Sequence, residues 1–473
     1  MNVLFAIPPW SFPEIYPASM SRAGGPLGDR FGTITGATEP LGMLYMAAVL
    51  RRGGFRPAVQ DGFNMQPADW LNGIIDARPD VLALTLSAFS WGKVQPLIPR
   101  IREALPDLTI VLGGPYPTAV GPKALESMPQ ADFVVQGPGE TAMLALCQRL
   151  AAGSDVSGIP GLCWRHEGGI GCTPKGPVPV LDDLPFPARD LVDMSKYRPS
   201  VGFYNRLPSA SVITTRGCPR NCSFCVSDSR IAYRSVPSVL AEIEECAVRY
   251  GVRHIVFWDE DIAIRRDRLL ELCEGLARAK HKVTWCASMT IDEVRPDVLK
   301  AMKRAGCWKI LFGLESGVPK NLATCNKNLD PAMVRSQLAL VRAAGIESFA
   351  TFMFGIPGET RAEAEETIRF ATSLPLDYAL FLNFTPFPGT GFYDHIEDHG
   401  TFQGVWSTQA ISFVPHSMTL DDLKELRVLA YRRFYLRPSY ILRRAWTMRS
   451  PEDVLRNLKG LAATLGMKTE GII

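Results

Sequence analysis

The chain has 473 residues, enough for two or three domains with ordinary cores, and its 47% apolar, 21% charged composition is globular. A formal net charge of +3 leaves no whole-molecule footprint for nucleic acid, and the longest apolar runs, such as 81–86, fall far short of the ~20 residues of a membrane helix. Residues 2–7 are too short for the core of a secretory signal, so the eleven cysteines read as thiols in a reducing, cytoplasmic setting.

Short β-rich runs alternate with helical periodicity over residues 1–152. Strands are expected at 3–7, 58–60, 81–86, 109–112 and 133–136, and helices at 41–52, 68–77, 94–104 and 140–151. That alternation predicts a five-strand, doubly wound Rossmann-like α/β domain, which takes ligands at the carboxyl ends of its strands. Those ends carry Pro8-Pro9-Trp10, Ser87, Gly113-Gly114-Pro115 and Gly137-Pro138-Gly139-Glu140, whose glycines let a bulky ligand approach the backbone. From 153 to 207 prolines recur around a polar hairpin-like segment at Glu167-Gly168-Gly169, and a semi-rigid connector is expected.

In the second half, strands are expected at 209–214, 254–258, 283–287, 309–312, 348–354 and 378–384. Helices lie between them, near 238–250, 267–280, 296–305, 331–344 and 362–372. Six βα units over 208–400 predict a partial parallel barrel, (β/α)6, with its chemistry at the carboxyl ends of the strands. Residues 401–473 return to helix as a C-terminal tail. Between Lys424 and Arg449 eight basic residues accompany one acid, interleaved with Tyr431, Phe434, Tyr435, Tyr440 and Trp446. Such a stretch fits either contact with a membrane surface, an anionic substrate or nucleic acid, or the packing of its rings on the barrel, and Pro438 interrupts its helix.

The loop after the first barrel strand reads Thr-Thr-Arg-Gly-Cys-Pro-Arg-Asn-Cys-Ser-Phe-Cys and contains Cys218, Cys222 and Cys225. Three thiolates spaced C-x3-C-x2-C can hold three irons of a 4Fe–4S cluster and leave the fourth open. A structural zinc site would want a second Cys or His pair, but Cys246 lies in a helical pattern and His254 stands alone. The other strand ends carry Asp259-Glu260-Asp261, Ser288 with Thr290, Gly313-Leu314-Glu315-Ser316-Gly317, Gly355-Ile356-Pro357-Gly358-Glu359-Thr360 and Thr385-Pro386-Phe387-Pro388. Among the remaining cysteines, Cys325 stands in a polar loop and is the expected reactive thiol; most others read as small core residues.

The cysteine motif, with Phe224 before its last cysteine, resembles the radical S-adenosylmethionine superfamily. Glu39-Pro40-Leu41-Gly42, the segment from Gly113 to Thr118 and the Gly137-to-Glu140 turn resemble the cobalamin-binding domain found in front of many of its members. The resemblance implies that Cys218, Cys222 and Cys225 are the catalytic cluster ligands. The open iron would chelate the amino and carboxylate groups of S-adenosylmethionine, whose cleavage leaves a 5'-deoxyadenosyl radical. It further implies that Asp259 and Glu260, and less directly Asp261, receive the amino group, that Ser288 meets the carboxylate or the substrate, and that Glu315 accepts from the ribose hydroxyls. Gly355, Ile356 and Pro357 would meet the adenine, Phe224 would also contact S-adenosylmethionine, and Pro9, Trp10, Ser87, Gly113, Gly114, Pro115, Gly137 and Glu140 would surround cobalamin.

One departure stands out: no Asp-x-His-x-x-Gly motif occurs, and no histidine precedes His166, so cobalt would receive no imidazole from this domain. The family implies a small-molecule, lipid-like or tetrapyrrole substrate, a reductant protein such as flavodoxin or ferredoxin, no nucleic acid, and a monomer or weak dimer. The expected activity is a class B methyltransferase acting on an unactivated carbon. The alternative is a non-methylating cyclase or rearrangement enzyme, like the anaerobic Mg-protoporphyrin ester cyclase. A tRNA methylthiotransferase would need a second N-terminal cluster and an OB-like tail, yet no cysteine precedes Cys147 and no β tail follows the barrel. A cobalamin-binding sensor without catalysis would leave the three-cysteine loop unexplained.

Overall fold

The computed structural model describes residues 1–10 and 36–448, apart from 201, 405, 408 and 409, and beyond them only residues 454, 457, 458, 461, 464 and 465. It divides into two compact units, Met1–Ser11 with Glu39–Lys196, and Phe12–Thr38 with Tyr197–Ile473.

The first unit is built on a sheet of seven strands: β1 (Asn2–Trp10), β2 (Arg56–Phe63), β3 (Val81–Thr85), β4 (Thr109–Gly113), β5 (Phe133–Val135), β6 (Leu162–His166) and β7 (Gly169–Cys172), in the order β2-β1-β3-β4-β5-β6-β7. β1 to β5 are parallel. Successive side chains of a strand point to opposite faces, and here both faces are buried. Val3, Phe5, Val81, Ala83 and Val111 join one core, while Leu4, Ala6, Leu82, Leu84, Ile110 and Leu112 join the other. That two-sided burial explains why these runs are continuously apolar.

The structure departs from the expected five strands and from a connector spanning 153–207. Leu162–His166 pairs antiparallel with β5, and Gly169–Cys172 folds back on it. Leu162 enters one core and Cys163 the other, so the hairpin is an integral edge of the sheet. Cys163 and Cys172 face each other across it and form a disulfide with an S–S distance of 2.07 Å. This corrects the expectation of eleven thiols; the other nine cysteines are not in disulfides. Farther along, Ala188 N–H donates to Leu44 O at 3.0 Å and Asp190 pairs with Arg51 at 2.9 Å, tying this stretch to the same unit. The helix expected at 94–104 is two, Ala88–Val94 and Ile98–Ala104. A Ser87–Ser90 capping box starts the first directly after β3, and Pro96 separates it from the second.

The second unit is an open, all-parallel barrel of β8 (Ser209–Val212), β11 (His254–Phe257), β12 (Thr284–Ser288), β13 (Cys307–Glu315), β14 (Glu347–Phe354) and β15 (Tyr378–Asn383), wound in chain order with β8 and β15 at the edges. A two-stranded ribbon, β9 (Thr215–Arg216) and β10 (Ala232–Tyr233), sits at the base of the cysteine loop. The amino-terminal ends of the strands are closed by 202–205. Lys309 Nζ donates to Gly202 O at 2.8 Å, and His254 contacts Phe203 O at 3.0 Å and Thr284 Oγ1 at 2.8 Å. Burial pushes the His254 imidazole down to about 3.

Of the two readings of the basic-aromatic tail, the structure takes the packed one. The helix Leu420–Tyr435 lies along the edge strand β15, and the Tyr435 hydroxyl accepts from Ala379 N–H at 3.0 Å and donates to Ala379 O at 2.7 Å. Tyr431 accepts from Phe381 N–H and Tyr440 donates to Asp377 O. These bonds satisfy an edge that would otherwise invite pairing with another chain. Trp446, at 83% exposure, is left outside. Among the described residues no helix is long and apolar enough to cross a membrane.

Candidate functional site

In the second unit the loops after several strands converge on the cysteine loop. Cys218 N–H donates to Asp228 O and Cys225 N–H to Cys222 O, curling the loop on itself. Gly217, at φ +87°, has no room for a side chain, since a Cβ would lie 2.7 Å from Asp228 O. Three other strand ends then hold the loop from outside. Arg220 pairs with Asp292 at 2.7 Å and reaches Thr290 Oγ1 at 3.3 Å, beyond β12. Ser223 donates to Cys325 O and Thr324 O, and Asn326 donates to Asn221 O, beyond β13. Gly391 N–H donates to Ser223 O, beyond β15.

The three cysteines are free thiols; Cys225 is exposed, and Cys218 and Cys222 are half-buried. Burial pushes both half-buried thiols up, while Lys327 pulls Cys222 back down. Among the described residues no three such side chains converge on one point as ligands of a single ion would. A 4Fe–4S cluster asks for something else, because each thiolate addresses its own iron. The loop offers three soft donors on a segment pinned from outside, and the donor set fits the cluster.

Phe224 and Phe392 pack against a core of Cys325, Met353, Ile356, Phe384, Ile396 and Phe413. Cys325 is fully buried there and its thiol is pushed up to about 12. This corrects the expectation of a reactive Cys325; its backbone carbonyl is what serves the loop.

Asp259 is almost wholly buried. Its carboxylate accepts from Thr214 N–H at 2.6 Å, Thr215 N–H at 3.1 Å and the Thr214 hydroxyl. Burial outweighs these donors and pushes it up to about 6. Glu260 is exposed, whereas Asp261 is buried and accepts from Thr290 Oγ1 at 2.8 Å and Ala263 N–H at 2.9 Å. Ser288 closes β12, and its carbonyl accepts from Ile262 N–H at 3.0 Å. β13 runs three residues beyond its expected end and finishes on Glu315, held at φ +62° after a register shift. Glu315 pairs with Lys327 at 2.8 Å and reaches Thr351 Oγ1 at 3.5 Å. Gly313 leaves the space these two charges occupy, because a Cβ there would lie 2.8 Å from Lys327 Nζ.

After β14, Gly355 adopts φ +79° and Glu359 folds back beneath it. Its carboxyl accepts from Gly355 N–H at 2.7 Å, Ile356 N–H at 3.4 Å and Asn321 Nδ2 at 3.0 Å. Burial pushes it up to about 8. Pro357 is buried with this loop. Lys327 and the supporting role of Glu359 were not read from the sequence. Lys327 lies twelve residues past Glu315, and only the turn after the helix Pro319–Thr324 returns it.

In the first unit the strand ends are of another kind. Pro9 is buried, and Trp10 packs on Phe63 with ring centroids 4.7 Å apart. Ser87 caps the helix Ala88–Val94. Gly114, at φ +94°, passes so close to the previous strand that a Cβ would lie 2.7 Å from Leu86 O. Gly113 and Gly137 are the reverse: a Cβ on Gly113 meets nothing nearer than 3.9 Å, and one on Gly137 nothing within 4 Å. Gly137 N–H donates to Thr118 Oγ1 at 3.1 Å, linking the two turns. Pro115 is exposed, and Glu140 is buried in the first turn of the helix Gly139–Ala151. Open space beside strand-end glycines fits a large flat cofactor laid on backbone. The one histidine of this unit, His166, is not at these strand ends. β6 runs antiparallel to β5, and Trp164 already pairs with Phe133, the first residue of β5. His166 therefore lies past the opposite end of the sheet from the strand carboxyl ends.

Residues 212–371 match the Radical SAM superfamily, and residues 29–147 match the B12 binding domain. An uncharacterized methyltransferase of Pyrococcus horikoshii is 28% identical over 455 residues, covering 94% of each chain. The anaerobic magnesium-protoporphyrin IX monomethyl ester cyclase of Rubrivivax gelatinosus is 26% identical over 430 residues, covering 86% of this chain and 76% of the cyclase. Among solved structures, the cobalamin-dependent S-adenosylmethionine radical enzyme OxsB, with aqua-cobalamin and S-adenosylmethionine bound, shares the fold. Its TM-score is 0.73 at 14% identity, covering 98% of this chain and 72% of that one.

Proposed function

This chain belongs to the cobalamin-dependent radical S-adenosylmethionine enzymes, and on that premise we propose that it is a methyltransferase acting on an unactivated carbon of a small, lipid-like or tetrapyrrole molecule. The observation that carries this reading is the similarity to the Pyrococcus methyltransferase, which runs through both units. When bound, the cluster supplies the electron that cleaves S-adenosylmethionine, and cobalamin supplies the methyl group.

The chain's own residues bind and orient. Cys218, Cys222 and Cys225 hold the cluster and leave one iron to the ligand. Glu260 receives the ammonium, because a charge-assisted acceptor suits a cation, and Asp261, already accepting from Thr290 and Ala263, adds its charge beside it. Asp259, committed to Thr214 and Thr215, acts behind them. Ser288 faces the carboxylate or the substrate, and Glu315, oriented by Lys327, accepts from the ribose hydroxyls. Gly355, Ile356 and Pro357 meet the adenine beside Phe224, where the surrounding apolar core excludes water. Pro9, Trp10, Ser87, Gly113, Gly114, Pro115, Gly137 and Glu140 line the cobalamin cradle of the first unit. The reductant is a small electron-transfer protein such as flavodoxin or ferredoxin, in the cytoplasm.

A second reading, oxidative ring closure without methyl transfer, is favoured by the similarity to the Rubrivivax cyclase. Product stoichiometry separates the two. The reconstituted enzyme is incubated anaerobically with an extract of the source cells' small molecules and S-adenosylmethionine deuterated in its methyl group. Methyl transfer yields a compound carrying the labelled methyl, with S-adenosylhomocysteine and 5'-deoxyadenosine in equal amounts. Turnover that forms 5'-deoxyadenosine alone, with no label in product, would replace the methyltransferase by the cyclase reading.

A further inference from the structure

The cysteine loop, residues 217–231, hangs from the β9–β10 ribbon, in which Thr215 pairs with Tyr233 and Arg216 with Ala232. Just outside that neck the incoming chain is Ile213–Thr214 and the outgoing chain is Arg234. Arg268, on the helix Arg266–Arg278, spans both. Its Nη1 donates to Thr214 Oγ1 at 3.0 Å and its Nη2 to Thr214 O at 3.1 Å, while Nε and Nη2 donate to Arg234 O at 3.0 and 2.8 Å. Arg234 reaches back the other way, donating to Ile213 O at 3.0 Å and pairing with Glu242. Asp259 closes the incoming side by accepting from Thr214 and Thr215, and it immediately precedes Glu260 and Asp261.

All five groups are buried, from 0% exposure at Thr214 and Glu242 to 7% at Arg268. Two arginines face two acids, so the set is neutral as a whole. A buried pair that loses one member leaves an unpaired charge, which makes such a network all-or-none. A fully bonded buried network also fixes one arrangement of the chain that carries it.

We propose that Thr214, Arg234, Glu242, Asp259 and Arg268 form a positioning bracket at the neck of the cysteine loop. It sets the three thiolates in register with the carboxylates at the end of β11. None of the five touches the ligands; each acts through the loop. The inference rests on Cys218, Cys222 and Cys225 carrying the cluster. It assigns Asp259 a task different from the binding of the amino group.

A matched pair of variants tests it in the full-length chain. Thr214→Val keeps the shape and removes both hydroxyl bonds, whereas Thr214→Ser keeps them. In the apo protein, amide hydrogen exchange over 217–231 is expected to rise about tenfold in Thr214→Val and stay at the parental rate in Thr214→Ser, with the other barrel strands unchanged. After anaerobic reconstitution, Thr214→Val should keep its iron. Its reduced-cluster paramagnetic resonance signal should shift less on adding S-adenosylmethionine, and KM for that ligand should rise about tenfold. Thr214→Ser should restore both. Arg268→Lys, which keeps the charge but can reach only one side of the neck, should loosen the loop like Thr214→Val and supplies the same comparison if the valine variant unfolds. Loop exchange and spectra equal to the parent's in both variants would overturn the bracket. A parent that assembles no cluster would overturn the cluster assignment instead, and the apo exchange rates would still decide the bracket.

Discussion

In the first unit the candidate cofactor site is made of backbone and small residues at strand ends, Gly113, Gly114 and Gly137 with Ser87, whereas the strand ends of the second unit supply thiols, carboxyls and a lysine. A large, flat cofactor needs room and backbone donors, and many sequences meet that need. A cluster and a zwitterionic sulfonium ligand need formal charges at fixed places, which few sequences meet. The contrast accounts for a strong motif in one unit and a diffuse one in the other.

Removing one site should leave the other in place. Replacing Cys218, Cys222 and Cys225 together by alanine should remove all iron and all S-adenosylmethionine cleavage. Cobalamin binding, read by its absorbance, should be unchanged; loss of both cofactors together would mean that the sites are not independent.

The charged site should also carry a pH response. The Glu359 carboxyl, ordinarily near 4.5, is pushed up to about 8 by burial, so the folded chain keeps it protonated at neutral pH. Its contribution to stability is complete below 4.5 and is lost as pH rises to about 8, on the order of a few kcal/mol over that window. His254, near 3 when folded and 6.5 otherwise, works in the opposite sense: its contribution is present above 6.5 and is lost as pH falls. Denaturant titrations of the apo chain across pH 4.5–8 should show a shallower fall in Glu359→Gln than in the parent. Identical slopes would mean that Glu359 is ionised in the fold.

In the first unit, Gly114→Val meets both a left-handed backbone and the Leu86 carbonyl. Strain of about 1–2 kcal/mol and overpacking of about 1–3 kcal/mol should weaken cobalamin binding and lower the melting of that unit while iron content stays constant. Unaltered cobalamin affinity would remove the turn from the cradle. Smaller still, Glu315→Gln should weaken S-adenosylmethionine binding by about 1–3 kcal/mol with the cluster spectrum unchanged. An equal affinity would make Glu315 a partner of Lys327 alone.

The same contrast explains what the sequence disclosed. The barrel was legible because most of its strands are short apolar runs separated by helical periodicity, and the cysteine motif because its ligands lie within eight residues. The hairpin turn at Glu167-Gly168-Gly169 was legible, but its place as an edge of the sheet was hidden by flanking prolines and by Arg165 and His166, which are exposed although Leu162 and Cys163 are core. Cys325 looked exposed because Thr324 and Lys327 flank it, but its burial is decided by Met353, Ile356, Phe384 and Phe413 from distant strands. Asp259 was legible as a strand-end acid. The direction of its oxygens depended on Thr214, forty-five residues earlier, and spacing carries no trace of that partner.

We propose that cobalamin in the first unit receives neither a protein imidazole nor its own base on cobalt. His166, the first histidine of the chain, lies past the far end of the sheet, and a Cβ on Gly113 or Gly137 would meet no atom nearer than 3.9 Å. The most direct measurement is electron paramagnetic resonance of the full-length chain loaded with Co(II) cobalamin. Cobalt lines without nitrogen splitting are expected. Triplet splitting of those lines, from a retained base or from a histidine, would contradict the proposal.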